Sequence, residues 1–470
     1  MKHDPADASL PLPDRRGVLE HAAGLVLRAW EDFDHPRPTQ PAVAQRHRDL
    51  LSRPLPRSPS DPRTALDLAA DVLDVSLTQS RPRFFAYVGS SGLEIGVLGD
   101  ALMASHDVNA AVTAGGADLL EAQVVRWVDE FVGFGGAHDG VMAAGGAISN
   151  LTALAAARER AVPGFRREGA AGRPLALYTS SEAHYSVQRA AEVLGIGADH
   201  VRRIGLDADR RMDVAACAAA LDADRAAGVA PVAVVATAGT TLTGTVDDLA
   251  GLAEVCRARD VWLHVDGAYG LPAAATVTAG YRFAGLDQAD SATVDARKWL
   301  YVPKACSVLL MRSRTALQEA FTHQESYMPH DEDEIHPVDR TLEYSRPLRA
   351  LKLWLAFTVH GANAIRDAIE RNLKQAALLA DLLDTDPVFE LLSPPSLSAV
   401  CFRVRPPPGV DPIAHNAALV HAVNSDGRLM LAGAEFDGTP CLRACIVNHR
   451  TTDDDVRAIP MVVREVAAAS

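Results

Sequence analysis

Four apolar runs in this chain of 470 residues end on side chains that can exchange a proton or attack a carbonyl group. Asp266 follows "VWLHV", His184 follows "PLALYTS" in "SEAHYS", Thr240 and Thr241 follow "VAVVAT", and Lys298 follows "SATVDAR". Acid, imidazole, hydroxyl and amine together can move protons and capture a carbonyl as a nucleophile. Each has a plain structural reading when taken alone: Asp266 caps a helix or bonds a turn amide, His184 is a satisfied structural histidine, and "GTT" is an ordinary turn. In an open parallel sheet, ligands bind where the strands end. Four strand ends presenting these groups are better explained by a site than by coincidence.

A fifth stretch adds an anion-binding element. "AAGGAISNLTALAAARER", residues 143–160, opens a helix on paired glycines, where free N–H groups and the positive dipole end favour a phosphate. Paired glycines also begin helices that only pack closely. The spacing is neither GxGxxG nor that of a GKS or GKT loop, which disfavours a nucleotide. A phosphate beside an amine, an acid and an imidazole suggests pyridoxal phosphate.

These residues need a scaffold, and the pattern supplies one. "PLALYTS", "VAVVATAG", "VWLHVDGA", "SATVDA" and "CSVLLMRS" read as buried strands alternating with alanine-rich helices, which implies an α/β fold with a mostly parallel sheet covered on both faces. The expected organisation is an N-terminal helical segment over residues 1–85, a large domain over 86–355 and a small C-terminal α+β domain over 356–470. The first segment is proline-interrupted and too small to bury its own apolar face.

Composition excludes several classes. A formal net charge of -14 argues against nucleic acid and anionic membranes as main partners. The six cysteines show no paired CxxC spacing, so neither a metal site nor a disulfide framework is expected, and reduced thiols in the cytoplasm are the default. The N-terminus "MKHDPADASLPLPDRR" has no signal-peptide core. Two long uncharged windows carry glycine, proline and small polar residues where a spanning helix wants leucine and phenylalanine.

At this point "HVDGAYG" followed by "ADSATVDARKWLYVP" resembles the pyridoxal-phosphate-dependent amino-acid decarboxylases, the group that includes the aromatic-amino-acid and glutamate enzymes. "RPRFFAYV", "GGAISN", "HYSVQRAAEVLG", "VVATAGTTLTGTVDDL", "SRPLRALKLW" and "LRACIVNHRTTDDDV" extend the likeness in the family's order over roughly residues 15–465. The resemblance implies an aspartate-aminotransferase-like, type I fold and a homodimer with its sites at the subunit interface. It implies that Lys298, buried at a strand end, carries the cofactor as a Schiff base and that Asp266 holds the pyridine nitrogen protonated. It further places His184 on the ring, Ala268 against the opposite face, and Thr241 near Asp266. Gly146, Ala147 and Ile148 form the phosphate cup with Asp295 close by, and Tyr327, in a long charged loop suited to a lid, delivers a proton to Cα.

The chain also departs from the family pattern. Arg297 stands where the family has histidine, Arg81 replaces the histidine before "PRFF", and Pro347 replaces the second arginine of an "SRR". For the substrate, the resemblance puts Arg443 near a carboxylate and Phe84, Phe85 and Tyr87 on an apolar wall. The favoured reading is decarboxylation of an aromatic or bulky apolar L-amino acid. The alternatives are an acidic substrate, a decarboxylating oxidase that forms an aldehyde, and a catalytically silent scaffold.

Overall fold

The computed structural model describes residues 12–35, 42–89, 91–111, 114–323 and 336–469. Its centre is a seven-stranded sheet built from β1 (Asp139–Ala143), β2 (Leu175–Ser180), β3 (Val201–Ile204), β4 (Ala230–Thr237), β5 (Trp262–Asp266), β6 (Ser291–Val294) and β7 (Ser307–Met311). The order is β1-β7-β6-β5-β4-β2-β3. β3, β2, β4, β5 and β6 run parallel, and only β7 is antiparallel to its neighbours β6 and β1.

The uninterrupted apolar runs are explained by burial on both sides. Successive side chains of a strand face opposite ways, so Leu175 and Leu177 enter one core while Ala176 and Tyr178 enter the other. Alanines of the helix Gly146–Ala161, among them Ala153, Ala156 and Ala157, pack on the first of these faces. Their small side chains let that helix approach the sheet, which brings its N-terminus to the strand ends.

A second sheet of four antiparallel strands has the order β10-β11-β9-β8, from β8 (Phe389–Leu391), β9 (Ala399–Val404), β10 (Ala432–Phe436) and β11 (Thr439–Cys445). Residues 79–85 are bonded into this C-terminal unit. Phe85 N–H donates to the Met430 carbonyl and its own carbonyl accepts from Cys445 N–H, both at 2.9 Å, while Asn448 Nδ2 donates to the Arg81 carbonyl at 2.9 Å. By contrast, the helices Arg15–Phe33 and Pro62–Asp74 bury little: Val18 alone in the first and nothing in the second.

Candidate active site

Asp266 ends β5 and is buried, with both carboxylate oxygens engaged. Oδ1 accepts from Ala268 N–H at 3.2 Å and Oδ2 from Asn150 Nδ2 at 2.8 Å. Asn150 lies four residues after Gly146, on the same face of the helix Gly146–Ala161. Its other contacts are the Ser186 hydroxyl at 3.1 Å and, through Oδ1, Nε2 of His264 at 3.0 Å. Sequence reasoning singled out neither Asn150 nor His264. The signal available was an amide at helical spacing behind paired glycines.

His184 stands beyond the end of β2, partly buried, with Nδ1 2.8 Å from the Ser186 hydroxyl. Burial holds its pKa below the ordinary value, the nearby Lys298 charge adds to this and Asp266 opposes it. That triple influence places acid, imidazole and amine within electrostatic reach of one another. Lys298 occupies a short helical turn, Ala296–Trp299, directly after β6. It is partly exposed rather than buried as expected, because the turn lifts it off the sheet and leaves its amine accessible. The flanking aromatics are the buried ones: Trp299 Nε1 and the Tyr301 hydroxyl both donate to Asn372 Oδ1, at 3.1 and 2.8 Å. They pin the turn that presents the lysine.

The phosphate-ready end is equally defined. Gly146 N–H donates to Asp295 Oδ2 at 3.2 Å, and Arg297 Nε donates to the same oxygen at 2.8 Å. Gly145 caps the helix without a side chain, and a Cβ on Gly146 would lie 2.8 Å from that of Ala268, closer than carbon atoms pack. Ala147 is exposed and Ile148 half-buried at the same helix end. Arg297 thus sets its guanidinium beside Gly145 where the family pattern has imidazole.

Other candidate residues are distributed less tidily. Thr241 is exposed and its carbonyl accepts from the Arg443 guanidinium, whereas Thr240 is buried and bonded to Thr243 at 2.9 Å. Arg443 is itself buried on β11, and its Nε has no partner among the described residues. The expected apolar wall is divided. Phe85 belongs to the core of the small sheet with Phe402 and Leu442, since consecutive residues of an extended backbone point opposite ways. Phe84 packs with Met430, its ring 6.0 Å from that of Tyr87, which is exposed and has a left-handed backbone at φ 58°. Tyr327 lies outside the described residues.

Complete burial lowers His264 from 6.5 to about 4, against Asp266 and the Ser291 backbone. The unfolded chain takes up this proton below 6.5 and the folded chain only near 4, so the stability it contributes is lost as pH falls through that window. For this fully buried group the loss is about 3 kcal/mol. Asp247, pushed up to about 6 by burial, works in the opposite direction because the folded state protonates first. A difference measurement removes that opposing effect. In urea unfolding between pH 7 and 4.5, the stability advantage of the wild type over His264→Gln is expected to shrink with acid; parallel pH slopes would contradict the assignment.

The donor set suits pyridoxal phosphate: a paired acid for a ring nitrogen, an accessible amine for a carbonyl, and a side-chain-free helix end beside a guanidinium for a phosphate. Comparison with known proteins agrees. The pyridoxal-dependent decarboxylase conserved domain matches residues 46–405. An aromatic-L-amino-acid decarboxylase of Bacillus atrophaeus is 33% identical over 430 residues, 89% of this chain and 88% of that protein. The solved structure of Oryza sativa TDC with PLP and tryptamine shares the fold, with a TM-score of 0.91 over 99% of both chains at 24% identity. That of Rhodiola rosea 4-hydroxyphenylacetaldehyde synthase superposes with a TM-score of 0.87 at 26% identity, over 97% of this chain and 99% of that one. With the conserved domain spanning most of its length and its whole fold shared, this chain belongs to the pyridoxal-dependent decarboxylase family, carboxy-lyases that work with pyridoxal phosphate.

Proposed function

We propose that this protein removes CO2 from an L-amino acid with an aromatic or bulky apolar side chain, releasing the amine. The observation that carries the reading is the doubly bonded Asp266 at the end of β5, linked through Asn150 and Ser186 to His184, whose imidazole also feels the charge of Lys298. Bound pyridoxal phosphate supplies the electron sink for the pair left when CO2 departs. The chain's residues do the rest. Lys298 would hold the cofactor carbonyl, Asp266 would keep the ring nitrogen protonated, and His184 would stack on the ring. Gly146, Ala147 and Ile148 would form the cup around the phosphate beside Arg297 and Asp295, with the Gly146 N–H shared with Asp295 and the Ile148 N–H with the Gly145 carbonyl, and Tyr327 would return a proton to the α-carbon.

The Bacillus atrophaeus relative and the Phe84–Tyr87 pair support an aromatic side chain. The exposed Leu19, Leu27, Leu68 and Leu73 of the two N-terminal helices support a homodimer in which these faces are covered by the partner. The proposed compartment is the cytoplasm, in keeping with the free cysteines.

A second reading is supported by the likeness to an aldehyde synthase: the same scaffold would then take the amino acid, O2 and water to an aldehyde, CO2, ammonia and hydrogen peroxide. Incubating the purified enzyme with a panel of L-amino acids, and scoring CO2, amine, aldehyde and peroxide, separates the two. Amine in step with CO2 from aromatic substrates is expected. Peroxide in step with CO2 would transfer the assignment to the oxidase, and turnover confined to acidic substrates would overturn the side-chain preference. Tyr327→Phe is expected to preserve CO2 release while slowing amine formation and leaking some aldehyde. Amine formation at the wild-type rate would remove Tyr327 from the proton-delivery step.

A further inference from the structure

Behind Asp266 lies a buried row of polar groups that the reaction itself does not use. Trp262 Nε1 is 2.8 Å from the Ser291 hydroxyl, which is 2.8 Å from His264 Nδ1. His264 Nε2 is 3.0 Å from Asn150 Oδ1, and Asn150 Nδ2 reaches Asp266 Oδ2 at 2.8 Å and Ser186 Oγ at 3.1 Å. Ser186 Oγ is 2.8 Å from His184 Nδ1. Apart from His184, every side chain in the row is buried, and His264 and Ser291 have no exposed surface at all.

The direction of each bond follows from the carboxylate end. Asp266 Oδ2 accepts, which turns the amide nitrogen of Asn150 toward it and the amide oxygen toward His264. An amide oxygen only accepts, so the proton of the neutral His264 ring is on Nε2 and Nδ1 accepts from the Ser291 hydroxyl. The Ser291 oxygen in turn accepts from the indole N–H of Trp262. Asn150's second N–H then goes to Ser186 Oγ, whose hydrogen goes to His184 Nδ1, and Ser186 N–H supports the same nitrogen at 3.2 Å. The His184 proton is thereby placed on Nε2.

The geometry points to a one-way hydrogen-bond relay, Trp262–Ser291–His264–Asn150, that orients Asp266 and His184 together. His264 and Asn150 are its positioning residues. Without the His264 proton, the oxygen of Asn150 loses its donor and the amide is held from the Asp266 and Ser186 side alone, so its position loosens. One bond lost at His264 therefore disturbs both groups that face the cofactor. This inference rests on the proposed roles of Asp266 and His184.

The test is a double-mutant cycle read out as the equilibrium affinity of the apoenzyme for pyridoxal phosphate, with circular dichroism as the check on folding. His264→Leu is expected to weaken binding about tenfold and Asn150→Ala about thirtyfold, the scale of buried polar groups left without partners. Because both act through one amide, the double variant is expected to match Asn150→Ala alone. Independent action would multiply the losses to about three-hundredfold and overturn the relay. His264→Gln, whose amide can donate to Asn150 and accept from Ser291, is expected to stay within about threefold of the wild type; a loss equal to that of His264→Leu would also overturn it. If His264→Leu does not fold, Ser291→Ala and Asn150→Ala complete the same cycle, because Ser291 reaches Asn150 only through His264, again with no added loss expected and a multiplied loss contradicting the relay. A wild-type apoenzyme that fails to bind pyridoxal phosphate would defeat the functional reading itself, whereas tight wild-type binding with multiplying losses would defeat the relay alone.

Discussion

Lys298→Ala is expected to lower turnover by at least about a thousandfold, roughly 4 kcal/mol of barrier, while leaving a folded protein. The side chain is partly exposed and lies on a turn held by Trp299 and Tyr301, so its removal costs little packing. What disappears is the amine that, in the proposed role, would hold the cofactor carbonyl in the site and yield it to the substrate's amino group. Other lysines do not take its place: Lys352 is buried and bonded to Asp100 and to the Lys304 carbonyl at 2.8 and 2.9 Å. Lys304 is the nearer rival, since burial and the Arg297 charge both lower its pKa. Turnover of Lys298→Ala within tenfold of the wild type, measured as CO2 release at saturating cofactor, would transfer the role to it.

Asp266→Asn is expected to cost at least about a hundredfold in turnover, or about 2.7 kcal/mol. The substitution conserves shape, and an amide at this position can still accept from Ala268 N–H while giving up the bond from Asn150 Nδ2. It cannot hold a pyridine nitrogen in its protonated form, so the electron sink weakens although the site remains assembled. The control is the folded state: circular dichroism and the thermal midpoint should change little while turnover falls. Near-normal turnover in Asp266→Asn would remove the carboxylate from the chemistry.

Much of the candidate site was legible because strand ends are marked twice in the sequence, by the apolar run that precedes them and by the polar residue that stops it. Asp266, His184 and Lys298 were found in that way, and the helix after Gly146 by its paired glycines. The relay was not legible, because it joins residues 114 and 116 positions apart through side chains on three different elements. No local period connects Asn150 to His264; only the close packing of an alanine-rich helix on the sheet does.

Other placements were hidden from the sequence for similar reasons. Thr240 and Thr241 sit in an irregular turn where no alternation says which faces inward, and the structure buries the first and exposes the second. Phe84 and Phe85 were read as one wall, but an extended backbone sends them to different cores. The depth of Lys298 was misjudged because its burial was inferred from the strand before it, whereas the following turn sets its exposure.

The most direct test of the central claim is borohydride reduction of the cofactor-loaded enzyme followed by peptide mass mapping. The account predicts a pyridoxyl mass on the peptide containing Lys298 and on no other. A label confined to Lys304 or Lys352, or no stable label at all, would contradict it.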